Sequence, residues 1–271
     1  MKKMFLVYVC VLLIGLAFVQ TRLAAQQQES QSSNKKPEVS TPAAKQTVAG
    51  LAQKEQCVIH LKHVVLAFHN YHDVYKDALP PLYTVDKNGK PLHSWRVLIL
   101  PFIEELALYK KIRLDEPWDS EYNKQFHNAA PKVYLCPSCG DASKNGLCNY
   151  SVIAGQTFVP AKKAGEVKGN GFRHIEDGTS NAIAVVELKK PFCWMDPTAD
   201  ITLDELAKGI NKPNGKVGSH HQGGINLALF DGRVRFVPDS IPGETLKALG
   251  DPRDGKAVTI EDAVNQKSTD K

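Results

Sequence analysis

The sequence predicts an α+β fold, with a long N-terminal amphipathic helix packed on an antiparallel β-sheet and extra short helices and loops. Three observations predict it. Cys57, Leu61, Val64, Phe68, Tyr71 and Tyr75 recur at alternating spacings of four and three, which puts them on one helix face. Beyond about residue 130 the texture changes to short β-like runs between Gly- and Asp-rich loops. Near the C-terminus two apolar runs flank Asp231-Gly232, a strong hairpin signal. Helices followed by strands argue for segregated rather than alternating layers.

The chain has 271 residues, enough to bury one sizeable core. Hydrophobic residues are 42% and charged residues 23%, which excludes disorder throughout, collagen and coiled coil. Only one apolar run is long, which excludes a polytopic membrane protein. Lys2, Lys3 and Arg22 fall in an N-terminal segment with the pattern of an export signal, and discounting them lowers the net charge from +5 to +2. Such a balance gives no general pull toward nucleic acid or anionic membrane.

Lys2 and Lys3, the apolar run Phe5 to Val19, and Leu23-Ala24-Ala25 before Gln26 have the layout of a secretory signal peptide, residues 1–25. The alternative is an uncleaved membrane anchor, although a helix of that length spans only about 22 Å of a roughly 30 Å hydrocarbon core. The expected location is periplasmic or extracellular, or membrane-anchored if the segment is retained. Residues 26–53, rich in Gln, Ser, Lys, Pro and Ala without an aromatic, read as a disordered polar linker. Residues 54–255 form the domain and 256–271 a polar tail.

Within the domain the first helix begins near Lys54 and ends at Asp77-Ala78-Leu79-Pro80-Pro81. Asp86-Lys87-Asn88-Gly89 is a turn, Trp95 to Ile99 an apolar stretch, and Glu104 to Ile112 a short helix. Asp119 or Ser120 caps another helix running to about Asn128. Val133 to Leu135, Tyr150 to Ile153 and Ala182 to Leu188 read as strands. Thr202 with Glu205 is a capping box opening a helix to about Lys208. The final hairpin, Ile225 to Phe230 and Arg233 to Val237, turns through a two-residue type I′ loop at Asp231-Gly232. That register pairs Leu229 with Val234 and Leu227 with Phe236, leaving one apolar face over a core and one largely polar face.

Several stretches in order resemble a large bacterial domain-of-unknown-function family whose signature is His, nine residues, then Asp-Gly. Here these are His221, Gln222 to Phe230, and Asp231-Gly232. Leu61-Lys62 with Leu66-Ala67-Phe68-His69-Asn70-Tyr71-His72-Asp73 resembles the family's opening helix. Gly89-Lys90-Pro91-Leu92, Ser94-Trp95-Arg96-Val97 and Arg113 to Ser120 resemble its middle. Asp177-Gly178-Thr179-Ser180-Asn181 with Glu187 resembles its second half. The resemblance covers about residues 54–242. It implies a type IV pilin or type II secretion pseudopilin plan, a location in the envelope, and no established activity. It also implies that His221, Asp231, Gly232, Asp177, Gly178, Ser180, Asn181 and Glu187 organise the fold rather than catalyse. The chain departs from the family pattern at its N-terminus, where a polar stretch separates the apolar run from the amphipathic helix.

Candidate chemistry centres on the cysteines. Cys136-Pro137-Ser138-Cys139 has the spacing of a zinc knuckle, with Cys148 and Cys193, or His127 or His174, as further ligands. In an oxidising compartment a disulfide, Cys139–Cys148 or Cys136–Cys148, needs fewer coincidences and is the preferred reading; no metal and no cofactor is assigned. Cys57, on the apolar helix face, is expected to be buried and inert. His69 and His72, and His220-His221, are expected to form hydrogen bonds where helix meets sheet and at the base of the hairpin. Asp115, Glu116 and Asp119 around Trp118 offer a calcium or sugar site, with a loop anchored by Trp118 as the plainer reading. Ser180 with His221 and an acid invites a hydrolase, but no nucleophile elbow surrounds Ser180. The expectation is therefore an exported, non-enzymatic module that binds an envelope protein or surface. A periplasmic ligand- or metal-binding (solute-binding) protein is the alternative.

Overall fold

A computed structural model describes residues 42–140, 146–256 and 258–260. The chain divides into two compact units, Met1–Val48 and Ala49–Lys271. Among the described residues the first holds only the opening of one helix, and the second holds every strand and the remaining helices. The expected export signal lies outside the described residues, as do most of the linker and tail.

Helix α1 spans Pro42–Val74. It starts well before Lys54, because Pro is pre-organised for a first turn and the Ala-, Gln- and Lys-rich stretch after it is made of helix formers. Residues 48–53 are exposed, so this extension stands on propensity rather than burial. From Cys57 onward the predicted face is buried: Cys57, Leu61, Val64, Phe68 and Tyr71 are inaccessible. The opposite face exposes Leu51, Ile59, Leu66 and Val74. The helix stops where Lys76 and Asp77 turn left-handed, at φ 55° and 63°, just ahead of Pro80-Pro81.

Strands β1 (Tyr83–Val85) and β2 (Pro91–Ser94) form a small ribbon, and Ser94 caps helix α2 (Trp95–Leu98) by accepting from the Arg96 amide. Helix α3 is Leu106–Tyr109. The helix expected from Asp119 or Ser120 is a single 3₁₀ turn, Asn123–Phe126, with Ser120 Oγ accepting from the Asn123 amide at 3.0 Å. The strand expected at Val133 to Leu135 is also a 3₁₀ turn, Lys132–Tyr134, because Pro131 opens a reverse turn closed by the Tyr134 amide.

The main sheet is four-stranded and antiparallel, in the order β3 (Leu147–Ser151), β5 (Ile183–Cys193), β7 (Gly224–Leu229), β8 (Val234–Pro238). Strands β4 (Ile153–Ala154) and β6 (Ile201–Thr202) pair in parallel beside it. Thr202 caps helix α4 (Leu203–Ala207) through the Glu205 amide, as its capping-box sequence predicts. Helix α5 (Gly243–Gly250) follows the hairpin.

The hairpin differs from expectation by one residue. Ala228 pairs with Val234, Leu227 with Arg235 and Asn226 with Phe236. The Leu229 amide bonds to Arg233 O, so Phe230, Asp231 and Gly232 make a three-residue loop with Gly232 at φ 87°. Phe230 explains the shift: it turns inward and stacks on Phe158, and its amide bonds to Ala182 O. The expected polar outer face is absent as well. Every residue of β7 is buried. Ile225, Leu227 and Leu229 share a cluster with Leu206, Leu246 and Leu249 of α4 and α5. Ala228 and Phe230 share the other cluster with Leu61, Val64 and Phe68 of α1. No helix among the described residues is long and apolar enough to cross a membrane.

Candidate functional site

Where α1 meets the sheet, four side chains from four segments bring their polar atoms within 4.8 Å of one another: Cys57, Cys136, Glu187 and His221. Each is held by a different local rule. Cys57 is where α1 first becomes buried after the exposed stretch 48–53. Cys136 follows the Lys132–Tyr134 turn, where its amide donates to Asn149 Oδ1 at 2.8 Å. Glu187 lies within β5 on the α1 side of the sheet, and His221 lies in the loop that enters β7, its amide donating to Ser219 Oγ at 3.0 Å.

The geometry is close throughout. Cys136 Sγ is 3.2 Å from His221 Nε2. Cys57 donates its thiol to Glu187 Oε1 at 3.2 Å, and His221 Nε2 is 3.5 Å from that same oxygen. The other Glu187 oxygen accepts from the Asn226 backbone amide at 2.7 Å. Ser138 Oγ is 3.2 Å from His221 Nδ1, and the Tyr150 hydroxyl donates to Cys57 Sγ at 3.2 Å.

The electrostatics follow from burial and these contacts. Burial raises the Glu187 carboxyl to about 7, against the opposing hydrogen bond from His221. Burial works against a charge on His221, but its bonds to Cys136 and Glu187 outweigh that and lift it to about 9. Burial pushes the Cys57 thiol up, whereas hydrogen bonds from Cys139 and then Cys57 hold Cys136 well below the usual thiol range. A Cys136 thiolate facing a protonated His221 is the favoured charge state without a ligand.

The described cysteines are Cys57, Cys136, Cys139, Cys148 and Cys193, and all are free thiols. The expected Cys139–Cys148 or Cys136–Cys148 bridge is therefore not formed. Cys136 is turned to the four-residue cluster, while Cys148 bonds to the Tyr150 backbone and lies against Arg96. For the same reason the knuckle set Cys136, Cys139, Cys148 and Cys193 does not assemble: only Cys136 joins the group. Cys139 adjoins Cys136 at the partly exposed rim. Cys57 is buried, as expected, but its partners are polar.

The signature residues separate into two places. Strand β7 divides them, so His221 sits at one end and the Asp231-Gly232 loop at the other, roughly 17 Å apart at the usual rise per residue. At the loop end, Asp231 accepts from the Arg233 amide and guanidinium, and its own amide donates to Thr179 O. Asn181 Nδ2 closes the Asp177-Gly178 turn on Asp177 O at 2.9 Å, and Ser180 O accepts from Arg233. Ser180 therefore belongs to the turn and His221 to the cluster, so these two residues are not brought together as a nucleophile and base. His69 donates to Phe230 O at 2.7 Å, at the junction of helix and sheet. In the acidic loop Glu116 pairs with Arg113 at 2.8 Å and Trp118 stacks on His127.

A family model described as a protein of unknown function (DUF1559) matches residues 52–200 and 192–244. The chain belongs to the DUF1559 family. Both matched stretches are needed to hold all four residues of the cluster, with Cys57, Cys136 and Glu187 in the first and His221 in the second. No curated protein and no solved structure matches this DUF1559 chain.

Reading the sequence missed the convergence of Cys57 and Glu187 on Cys136 and His221. One signal was present. Glu187 is the only charged residue in the apolar run Ala182 to Leu188, and a carboxylate there needs a partner. The second missed group is Arg96, fully buried against Asp200.

Proposed function

We propose that this DUF1559 chain is an exported, non-enzymatic module of the bacterial cell envelope with a structural or interaction role, resembling a pseudopilin in plan. One observation carries the reading: α1 shares one core with the antiparallel sheet through Leu61, Val64 and Phe68 on one side and Tyr150, Val185 and Ala228 on the other. That is the arrangement the resemblance implies. The N-terminal Lys2-Lys3 and Phe5 to Val19 pattern supports export. The engagement of Ser180 in a turn and of His221 in the cluster supports an organising role for the signature residues.

The test is expression of the full chain in a Gram-negative host. The protein is expected in the envelope fraction, with its N-terminus at Gln26 or with the apolar segment retained in the membrane. Cytoplasmic protein beginning at Met1 overturns the export reading. A panel of ester, peptide and glycoside substrates is expected to show no turnover. Turnover abolished by Ser180→Ala overturns the non-enzymatic part.

A further inference from the structure

The cluster under α1 has the composition of a metal centre. We propose that Cys57 Sγ, Cys136 Sγ, His221 Nε2 and Glu187 Oε1 bind one divalent cation of zinc's class in a closed, structural site. This goes beyond the envelope reading and does not depend on it.

The donor set argues first. Two thiolates, one imidazole and one carboxylate oxygen are what a borderline-soft tetrahedral cation takes, and calcium or magnesium would require oxygens. The distances argue second. Metal–sulfur bonds of about 2.3 Å and metal–nitrogen bonds of about 2.0 Å give tetrahedral edges of roughly 3.3–3.8 Å. Three of the six edges here are 3.2 Å for Cys136 to His221, 3.2 Å for Cys57 to Glu187 and 3.5 Å for His221 to Glu187, at or just below that range, and all six lie within 4.8 Å.

The surroundings argue third. Ser138 Oγ can accept from His221 Nδ1, which fixes the tautomer that turns a bare Nε2 to the centre. The Asn226 amide occupies Glu187 Oε2 and leaves Oε1 for the cation. The Tyr150 hydroxyl orients Cys57 Sγ. All four donors are buried and all come from the protein, which leaves no open position and makes the site structural. The donors are far apart in sequence, so the cation would tie α1 to the sheet, and its binding free energy would become folding free energy as the protons remaining on the donors leave. A Cys57–Cys136 disulfide is the competing use of these sulfurs. It would remove the thiol that donates to Glu187 Oε1 and leave that buried oxygen poorly matched.

The experiment uses the full chain, purified and kept reduced, with Zn²⁺ and Co²⁺ as probes. Native mass spectrometry is expected to show one zinc per chain, and zinc is expected to raise Tm. The cobalt form is expected to show intense tetrahedral d–d absorption and a thiolate-to-cobalt charge-transfer band. Cys136→Ser and His221→Ala are each expected to weaken zinc binding by more than about a hundredfold, beyond the loss typical of outer-sphere changes. Cys148→Ser should bind as the parent does. A reduced, folded parent that takes up neither ion overturns the proposal. So does an octahedral cobalt spectrum without the thiolate band, or undiminished affinity in folded Cys136→Ser or His221→Ala. If those variants do not fold, the cobalt spectrum of the parent decides.

Discussion

Arg96 and Asp200 meet in the interior through two hydrogen bonds, Nη2 to Oδ1 at 2.7 Å and Nη1 to Oδ2 at 3.1 Å. The Asp200 carboxylate also accepts from Trp95 Nε1, Ser151 Oγ and the Val152 amide. Arg96 reaches Tyr150 O and Ser94 Oγ in turn. One ion pair therefore fastens α2, β3 and the segment entering β6. Its carboxylate oxygens are well supplied with donors, which offsets part of the pair's desolvation, whereas Arg96 Nε has no partner among the described residues.

Removing one partner leaves the other charged and buried. Asp200→Ala is expected to cost about 3–5 kcal/mol, read from urea titration of the full chain. Arg96→Met with Asp200→Leu is expected to recover a large part of that loss. A single variant within about 1 kcal/mol of the parent would show that the pair is not holding these segments together.

His93 predicts a pH dependence. Burial holds it below its ordinary value, against the raising effect of its bonds to Glu116 O and Arg113 O. Nε2–H donates to those carbonyls, and Nδ1 has no partner among the described residues, so a second proton would be buried without an acceptor. The folded-state value is depressed, so this contribution to stability is complete above about pH 6.5 and is lost as pH falls toward the folded-state value. Half-buried His60, also held below its ordinary value by burial, adds to the same trend. Glu187, raised to about 7, acts in the opposite sense over the same window, so the prediction concerns the difference: His93→Gln should be less destabilised than the parent on going from pH 7 to pH 5. An equal slope in the variant would assign the acid sensitivity to other groups.

Phe68 joins the two halves of the larger core. Its ring lies 5.3 Å from Trp95 and 5.1 Å from Phe158, and it is fully buried. Phe68→Ala opens a cavity among rigid aromatics that cannot collapse, and is expected to cost about 3–5 kcal/mol. Leu66→Ala, on the exposed face of the same helix, should change stability by less than about 0.5 kcal/mol. Comparable losses in the two would mean that α1 buries the other face.

Local chemistry made part of this fold legible. The spacing of Cys57 to Tyr71 gave the buried face of α1, and Thr202 with Glu205 gave the start of α4, because both signals act within a few residues. The early start of α1 was not legible from apolar spacing, since residues 48–53 bury nothing. The hairpin register failed by one residue because Phe230, read as strand, is used as a core anchor. The cluster was hidden for a different reason. Cys57 and Glu187 are 130 positions apart, and the sulfur–carboxylate contact exists only once α1 has crossed β5.

The two ends of β7 give a prediction that separates crowding from backbone strain. Gly232 has a positive φ of 87° and open space around it, so Gly232→Ala should cost only about 1–2 kcal/mol of left-handed strain. Gly232→Asn should cost less, because Asn tolerates that region. Gly224 has ordinary backbone, but a Cβ there would run into the Val237 carbonyl oxygen and approach the Phe236 ring to 2.9 Å. The carbonyl is backbone and cannot withdraw without disturbing the Gly224–Pro238 pairing. Gly224→Ala should therefore cost more than Gly232→Ala, about 2–3 kcal/mol, and no substitute should rescue it. The check is a urea titration of the three variants side by side. Rescue at 232 by Asn fits a left-handed residue with open space around it, and the larger loss at 224 fits the close approach of β7 to β8. A larger loss at 232 than at 224 would mean that β7 and β8 part enough at Gly224 to admit a Cβ.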